Sequence, residues 1–155
     1  MQTIRKATLE DCSAILRTHA SAVRAIPAGL YTIEEIEAWA VPREIESYRQ
    51  AIQDKEFYVA DSGGVVGFGV LNRYAQLIEA LYVTAEAKGQ GIGARLLLRL
   101  EERGRELGME AVGLNASLNA VGFYKKAGYV AQEGTTYRLA TGLEIRCVPM
   151  SKALK

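Results

Sequence analysis

The spacing of apolar residues along this chain changes period several times, and each change marks an element. Residues 2–6 alternate polar and apolar in the manner of a short strand. Thr8, with Asp11 three residues on, gives a capping-box start to a helix whose inner face is Cys12, Ile15, Leu16, His19, Ala20 and Val23, closed near Pro27-Ala28-Gly29. Thr32 and Glu35 repeat the capping signal and put Ile33, Ile36, Trp39 and Ala40 on one face until Pro42 interrupts; Ile45, Tyr48 and Ile52 mark a further helical stretch. Residues 57–60 and Val65–Asn72 are β-rich runs joined by Asp61-Ser62-Gly63-Gly64, a hairpin turn in which glycine supplies positive φ. Gly67 and Gly69, inside the second run, predict close approach by a neighbour.

Leu77–Val83 reads as the next strand, and residues 92–107 as an amphipathic helix with Ile92, Leu96, Leu100 and Leu107 along its apolar stripe and Gly108 as its stop. Residues 110–116 return as a strand and 118–127 as a helix capped by Ser117 and ended by Gly128. Residues 129–139 and 143–150 follow as two closing strands. The order is strand, helices, three strands, helix, strand, helix, two strands, with no repeat or low-complexity tract. Pattern alone gives an α/β or α+β class.

Composition narrows the picture little. A chain of 155 residues, 49% hydrophobic and 24% charged, fits one domain spanning residues 1–155 with a full core. A formal charge of +1 without Lys/Arg blocks gives no electrostatic reason to expect a nucleic acid or an anionic membrane as partner, which leaves a polar small molecule as the default. Cys12 and Cys147 stand far apart outside any metal-ligand spacing and read as reduced, buried thiols of a cytoplasmic protein. Met1-Gln2-Thr3-Ile4-Arg5 begins directly on strand-like alternation, and no apolar run has the length of a signal peptide or membrane span. A homodimer stays open.

Candidate chemistry concentrates at Lys88-Gly89-Gln90-Gly91-Ile92-Gly93-Ala94, a glycine-rich turn that opens a helix. First-turn N–H groups lack intrahelical partners and lie at the positive end of the helix dipole, and glycine lets an anionic group approach the backbone. A P-loop needs Gly-Lys-Ser/Thr after four intervening residues, whereas these glycines alternate and Ala94-Arg95 follows. The dinucleotide fingerprint is met by Gly89, Gly91 and Ala94 only in its permissive form. Thr84 to Lys88 lengthen the turn, and Glu110 opens the next apolar run where that fingerprint wants an acid at a strand end. The stretch resembles motif A of the GNAT-type N-acetyltransferases, Gln/Arg-x-x-Gly-x-Gly/Ala, with Leu81-Tyr82-Val83 as the preceding strand; Lys88 departs from the usual Gln/Arg. Ser117-Leu118-Asn119-Ala120-Val121-Gly122-Phe123-Tyr124-Lys125-Lys126-Ala127-Gly128-Tyr129 resembles motif B of the same superfamily, with Ser117 in place of its Asn.

The resemblance runs along nearly the whole chain and implies the GNAT fold, a mixed central sheet of six to seven strands with flanking helices and a splayed central strand pair. It implies acetyl-CoA as co-substrate, with the backbone of Leu81, Tyr82 and Val83 toward the pantetheine arm. Lys88, Gly89, Gln90, Gly91, Ile92, Gly93 and Ala94 take the pyrophosphate, Ser117 and Tyr124 complete the cofactor site, and no metal is required. Acetyl transfer needs a neutral amine, stabilisation of a developing oxyanion and protonation of the leaving thiolate. Tyr124 matches the motif B tyrosine that serves the thiolate, although helical spacing alone fits simple packing of Phe123-Tyr124. Glu79 interrupts an apolar strand and stands as candidate base. Alternation puts it on one face with Leu81 and Val83, where desolvation would raise its pKa; a solvated or ion-paired strand glutamate is the other reading.

His19, the sole histidine, reads as a hydrogen-bonded packing residue. Tyr31 and Trp39 flank the region where the superfamily forms its acceptor pocket, as lid or as core, and the segment around them resembles a bacterial subgroup of small acetyltransferases. The expected activity is direct acetyl transfer to the primary amine of a small molecule or amino-acid derivative. The alternatives are a protein or peptide amine, or a non-catalytic acyl-CoA-binding module.

Overall fold

The computed structural model describes residues 2–41 and 44–155. The strand start expected from Met1 and the break expected at Pro42 lie outside the described residues. Strand β1 (Thr3–Lys6) leads through a 3-10 turn into α1 (Cys12–Arg24), followed by α2 (Ile33–Ala40) and α3 (Ile45–Asp54). Three antiparallel strands come next: β2 (Glu56–Asp61), β3 (Val65–Asn72) and β4 (Leu77–Val83). Helix α4 (Ile92–Glu106), β5 (Ala111–Ala116), α5 (Val121–Lys126), β6 (Val130–Ala131), β7 (Thr135–Arg138) and β8 (Glu144–Ala153) complete the order.

Local chemistry explains the boundaries. Both capping boxes form: Asp11 Oδ2 accepts from the Thr8 N–H at 2.8 Å, Glu35 Oε1 from the Thr32 N–H at 2.8 Å, and Thr32 Oγ1 from the Glu35 N–H at 3.0 Å. Helix α4 stops where Gly108 turns left-handed at φ 80° and the Met109 N–H reaches back to the Gly104 carbonyl. Ile33 departs from the expected apolar face, being 85% exposed, and α2 packs through Ile36, Ala38 and Trp39.

The strands form one mixed sheet in the order β1-β2-β3-β4-β5-β8-β6, with β7 also on β8. That makes eight strands, one or two more than the expected six to seven, because residues 129–139 divide in two. The physical reason lies in the partner strand. Pro149 accepts from the Gln132 N–H at 2.8 Å but has no N–H to return, so the ladder breaks between β6, paired at Met150 and Ser151, and β7, paired from Glu144 to Cys147. Helix α4 covers one face through Ile92, Leu96 and Leu100, while α1 and α3 cover the other through Ile15 and Tyr48 against Phe57, Phe68 and Val70. Gly67 and Gly69 allow the first contact. A Cβ on Gly67 would stand 3.0 Å from the Tyr82 carbonyl oxygen, and one on Gly69 would stand 2.8 Å from Leu100 Cδ1. A third cluster joins Tyr31, Leu139 and Ile145 beneath α2 and the β7–β8 hairpin. Cys12 and Cys147 are free and buried, and burial pushes both thiols up. Among the described residues no helix is long and apolar enough to cross a membrane.

Candidate active site

Strands β4 and β5 run parallel yet pair only at Leu77 with Gly113 and Ile78 with Leu114. Beyond those two rungs β4 continues to Val83 and β5 to Ala116, so a cleft opens between them, as the expected splayed pair requires. The mouth of the cleft is the start of α4. Gly91, its N-cap, has φ 77°, and Gly89 has φ 82°, a region open to glycine and costly for other residues. A Cβ at either would meet nothing within 4 Å, so the space over the turn is clear for a ligand.

A cavity of about 460 Å³ extends from this turn along β4 to α5. Every cofactor-binding residue expected from the sequence lines it except Gln90, whose side chain turns away and accepts from Gln2 Nε2 at 2.8 Å. Asn119, Ala120 and Phe123 join the lining from the segment after Ser117. Tyr124 is 7% exposed, with its ring edge-on to Phe123 and Tyr129 at centroid distances of 5.1 and 5.6 Å. Burial, with a smaller contribution from Tyr82, pushes its phenol well above the usual range, so the hydroxyl keeps its proton and can serve as a donor.

A second cavity, about 330 Å³, adjoins the first, and Trp39, Tyr82 and Ser117 line both. Glu79 enters it through a register defect. Val70 pairs with Ala80 and Leu71 with Ile78, leaving Glu79 as the extra residue of a β-bulge. The bulge overturns the expected alternation. Leu81 and Val83 pack with Ile78 on the α4 side, whereas Ala80 and Tyr82 pack on the α1 side, and Glu79 opens with Ala80 and Tyr82 into the second cavity. The expected apolar surroundings of Glu79 are also corrected: its carboxylate is about one-third exposed, pairs with Lys55 Nζ, and accepts from Asn72 Nδ2 at 3.0 Å.

Tyr31 and Trp39 both line the second cavity and touch each other edge-on at 5.4 Å. The Tyr31 hydroxyl accepts from the Leu118 N–H at 2.9 Å and donates to the Arg146 carbonyl at 2.7 Å, tying the segment before α2 to β8 and to the turn after β5. Trp39 Nε1 donates to the Tyr82 hydroxyl at 3.2 Å. His19 Nε2 donates to the Trp39 carbonyl at 2.8 Å, and the imidazole stands edge-on to Tyr82 at 4.8 Å, so it packs and hydrogen-bonds as expected while also facing the cavity. Sequence reading missed Lys55, Tyr137 and Arg146 in this lining. Lys55 caps the C-terminus of α3 and the other two sit on the β7–β8 hairpin, and no local spacing signals that these positions line one cavity with Glu79.

Residues 28–154 match the family model of the acetyltransferase (GNAT) domain, and the chain belongs to that family of N-acetyltransferases. Among solved structures it is similar to a GCN5-related N-acetyltransferase, aminotransferase class II, of Rhodopseudomonas palustris, at 26% identity and a TM-score of 0.91 over 99% of this chain and 96% of that one. The PaiA N-acetyltransferase of Thermoplasma acidophilum, in complex with coenzyme A, is 25% identical with a TM-score of 0.79 over 99% of each chain. Glucosamine 6-phosphate N-acetyltransferase 1 of Oryza sativa subsp. japonica is 40% identical over 53 residues, which span 34% of this chain and about a third (32%) of the rice protein. Acetyl-CoA is the co-substrate of the family.

Proposed function

We propose that this GNAT acetyltransferase carries the acetyl group of acetyl-CoA directly to the primary amine of a small molecule. The observation that carries the reading is the unzipped β4–β5 pair, open beside a left-handed glycine turn whose surface is clear of side chains. Bound acetyl-CoA supplies an activated acyl group and a thiol leaving group. The first-turn N–H groups of α4 would receive its pyrophosphate, and the edge of β4 beyond Ile78 would be open to its pantetheine amides. Tyr124 stays protonated and donates a hydrogen bond toward the leaving sulfur. Its raised phenol pKa makes outright transfer to a thiolate uphill, since alkyl thiols ionise near about 8.5. Glu79 takes the proton that the incoming amine sheds.

The second cavity favours a small acceptor over a polypeptide. Its volume of about 330 Å³ suits a compact molecule, and α2 with the β7–β8 hairpin walls it in. A panel of amino acids, amino sugars, arylalkylamines and short peptides, assayed with acetyl-CoA for free-thiol release, tests this. Turnover of a small amine is expected, with Glu79→Gln losing most activity at low pH, where the acceptor is protonated. Thiol release with peptides alone would contradict the reading.

A further inference from the structure

Within that acceptor cavity the ionised side chains among the described residues are two cations, Lys55 and Arg146, and one carboxylate, Glu79. Arg146 is exposed and donates to the Leu30 carbonyl, so the Lys55–Glu79 pair is the charge that an incoming acceptor meets. An acceptor arriving as a simple ammonium ion would add a positive charge beside Lys55 with no anion of its own and would compete with Lys55 for the same carboxylate. An acceptor bearing its own carboxylate beside the ammonium adds no net charge and supplies a partner for each half of the existing pair.

We propose, resting on the acetyltransferase reading above, that the Lys55–Glu79 ion pair is split by the acceptor, which is a free α-amino acid with an apolar or aromatic side chain. The α-ammonium takes the place of Lys55 at Glu79, and the α-carboxylate takes the place of Glu79 at Lys55 Nζ. Each charge keeps an opposite partner, so the exchange avoids the penalty of an unpaired charge. Asn72 Nδ2, 3.0 Å from Glu79 Oε2, holds the carboxylate while its partners change. The wall is aromatic: Tyr48, Trp39 and Tyr82 line the same cavity, an environment that suits an apolar or aromatic side chain. Lys55 is about one-third exposed at the C-terminal end of α3, able to swing toward the newcomer. In the transfer the N–C bond forms as the thioester C–S bond breaks. Of the two protons the ammonium loses, one passes to Glu79 and on to solvent, and the other ends on the coenzyme thiol.

The experiment compares phenylalanine, phenylalaninamide and phenethylamine, with leucine and leucinamide as a second set, on the full chain by thiol release at several pH values. Lys55→Met and Lys55→Arg are assayed alongside, with thermal melting to establish folding and acetyl-CoA calorimetry on each preparation. A free acid should exceed its own amide and amine in kcat/KM by roughly ten- to hundredfold, the weight of one charged hydrogen-bonding contact. This should hold although the amide has the larger neutral-amine fraction. Lys55→Met should erase that ratio and Lys55→Arg should keep it. The proposal is overturned if the amides or amines match the acids, if Lys55→Met leaves the ratio unchanged, or if no free amino acid reacts. Turnover of other amines with bound acetyl-CoA would then leave the acetyltransferase reading intact, whereas absence of acetyl-CoA binding would bring down both.

Discussion

The two cavities that meet at Trp39, Tyr82 and Ser117 are built on different principles. The larger one runs from the start of α4 along β4 to Ser117 and Tyr124, with Ala22, Val23, Ile26 and Trp39 on its helical side, and at the glycine turn and the strand pair that stops after two rungs it lays backbone open. The smaller one gathers side chains from all three N-terminal helices, the central strands and the distant β7–β8 hairpin. A backbone site tolerates side-chain change as long as φ and open space are preserved; a side-chain site alters its chemistry with each substitution. On the proposed reading the first holds the co-substrate and the second the acceptor.

The largest effect that would sharpen the contrast concerns Tyr124, the one side chain with a proposed chemical role in the backbone-built cavity. Tyr124→Phe should lower kcat by roughly tenfold or more, toward the lower part of the range for acid–base groups, with the KM for acetyl-CoA nearly unchanged. Unaltered kcat would reduce Tyr124 to packing. A smaller, two-part effect is expected at Trp39. Its contacts with Tyr31, Tyr82 and His19 make it both wall and support, so Trp39→Ala should raise the acceptor KM severalfold. It should also lower stability by about 2–3 kcal/mol, less than the roughly 3–5 of a fully buried aromatic truncation. A stability loss without a KM change would leave Trp39 purely structural.

The smallest effect reaches beyond the two cavities into the core. Burial raises the phenol pKa of Tyr31, Tyr58, Tyr124 and Tyr129, with Glu101 adding to the rise at Tyr129, whose hydroxyl donates to that carboxylate at 2.8 Å. A proton held more tightly in the folded than in the unfolded chain stabilises fully below the unfolded phenol value of about 10, and that contribution is lost as pH rises beyond it. Urea midpoints should therefore stay flat from about pH 7 to 9 and fall above about 10. Tyr58→Phe should flatten part of the fall, and a midpoint independent of pH up to 11 would contradict these environments.

What the sequence made legible follows the same division. Strand β4 and the start of α4 fall where periodicity and the glycine turn put them, because strand pattern, turn and helix lie within one short window. The bulge at Glu79 was not legible, since a register slip depends on how β3 and β4 pair rather than on either alone. Lys55 meets Glu79 across 24 residues of chain, and Arg146 reaches the cavity only because β8 crosses beside β5. The split of β6 from β7 had a local signal in Pro149, visible only once its partner strand is known.

The central claim, that backbone geometry at the turn holds the co-substrate, is tested most directly by acetyl-CoA calorimetry on Gly91→Glu and Lys88→Ala beside the wild-type chain. Glutamate at position 91 must adopt φ 77°, at a folding cost of about 1–2 kcal/mol, and puts an anionic side chain into the clear space over the turn. The account predicts that Gly91→Glu melts as a folded protein but gives no measurable heat with acetyl-CoA, while Lys88→Ala loses about tenfold or less in affinity. Wild-type affinity in Gly91→Glu, or loss of all binding in Lys88→Ala alone, would contradict it.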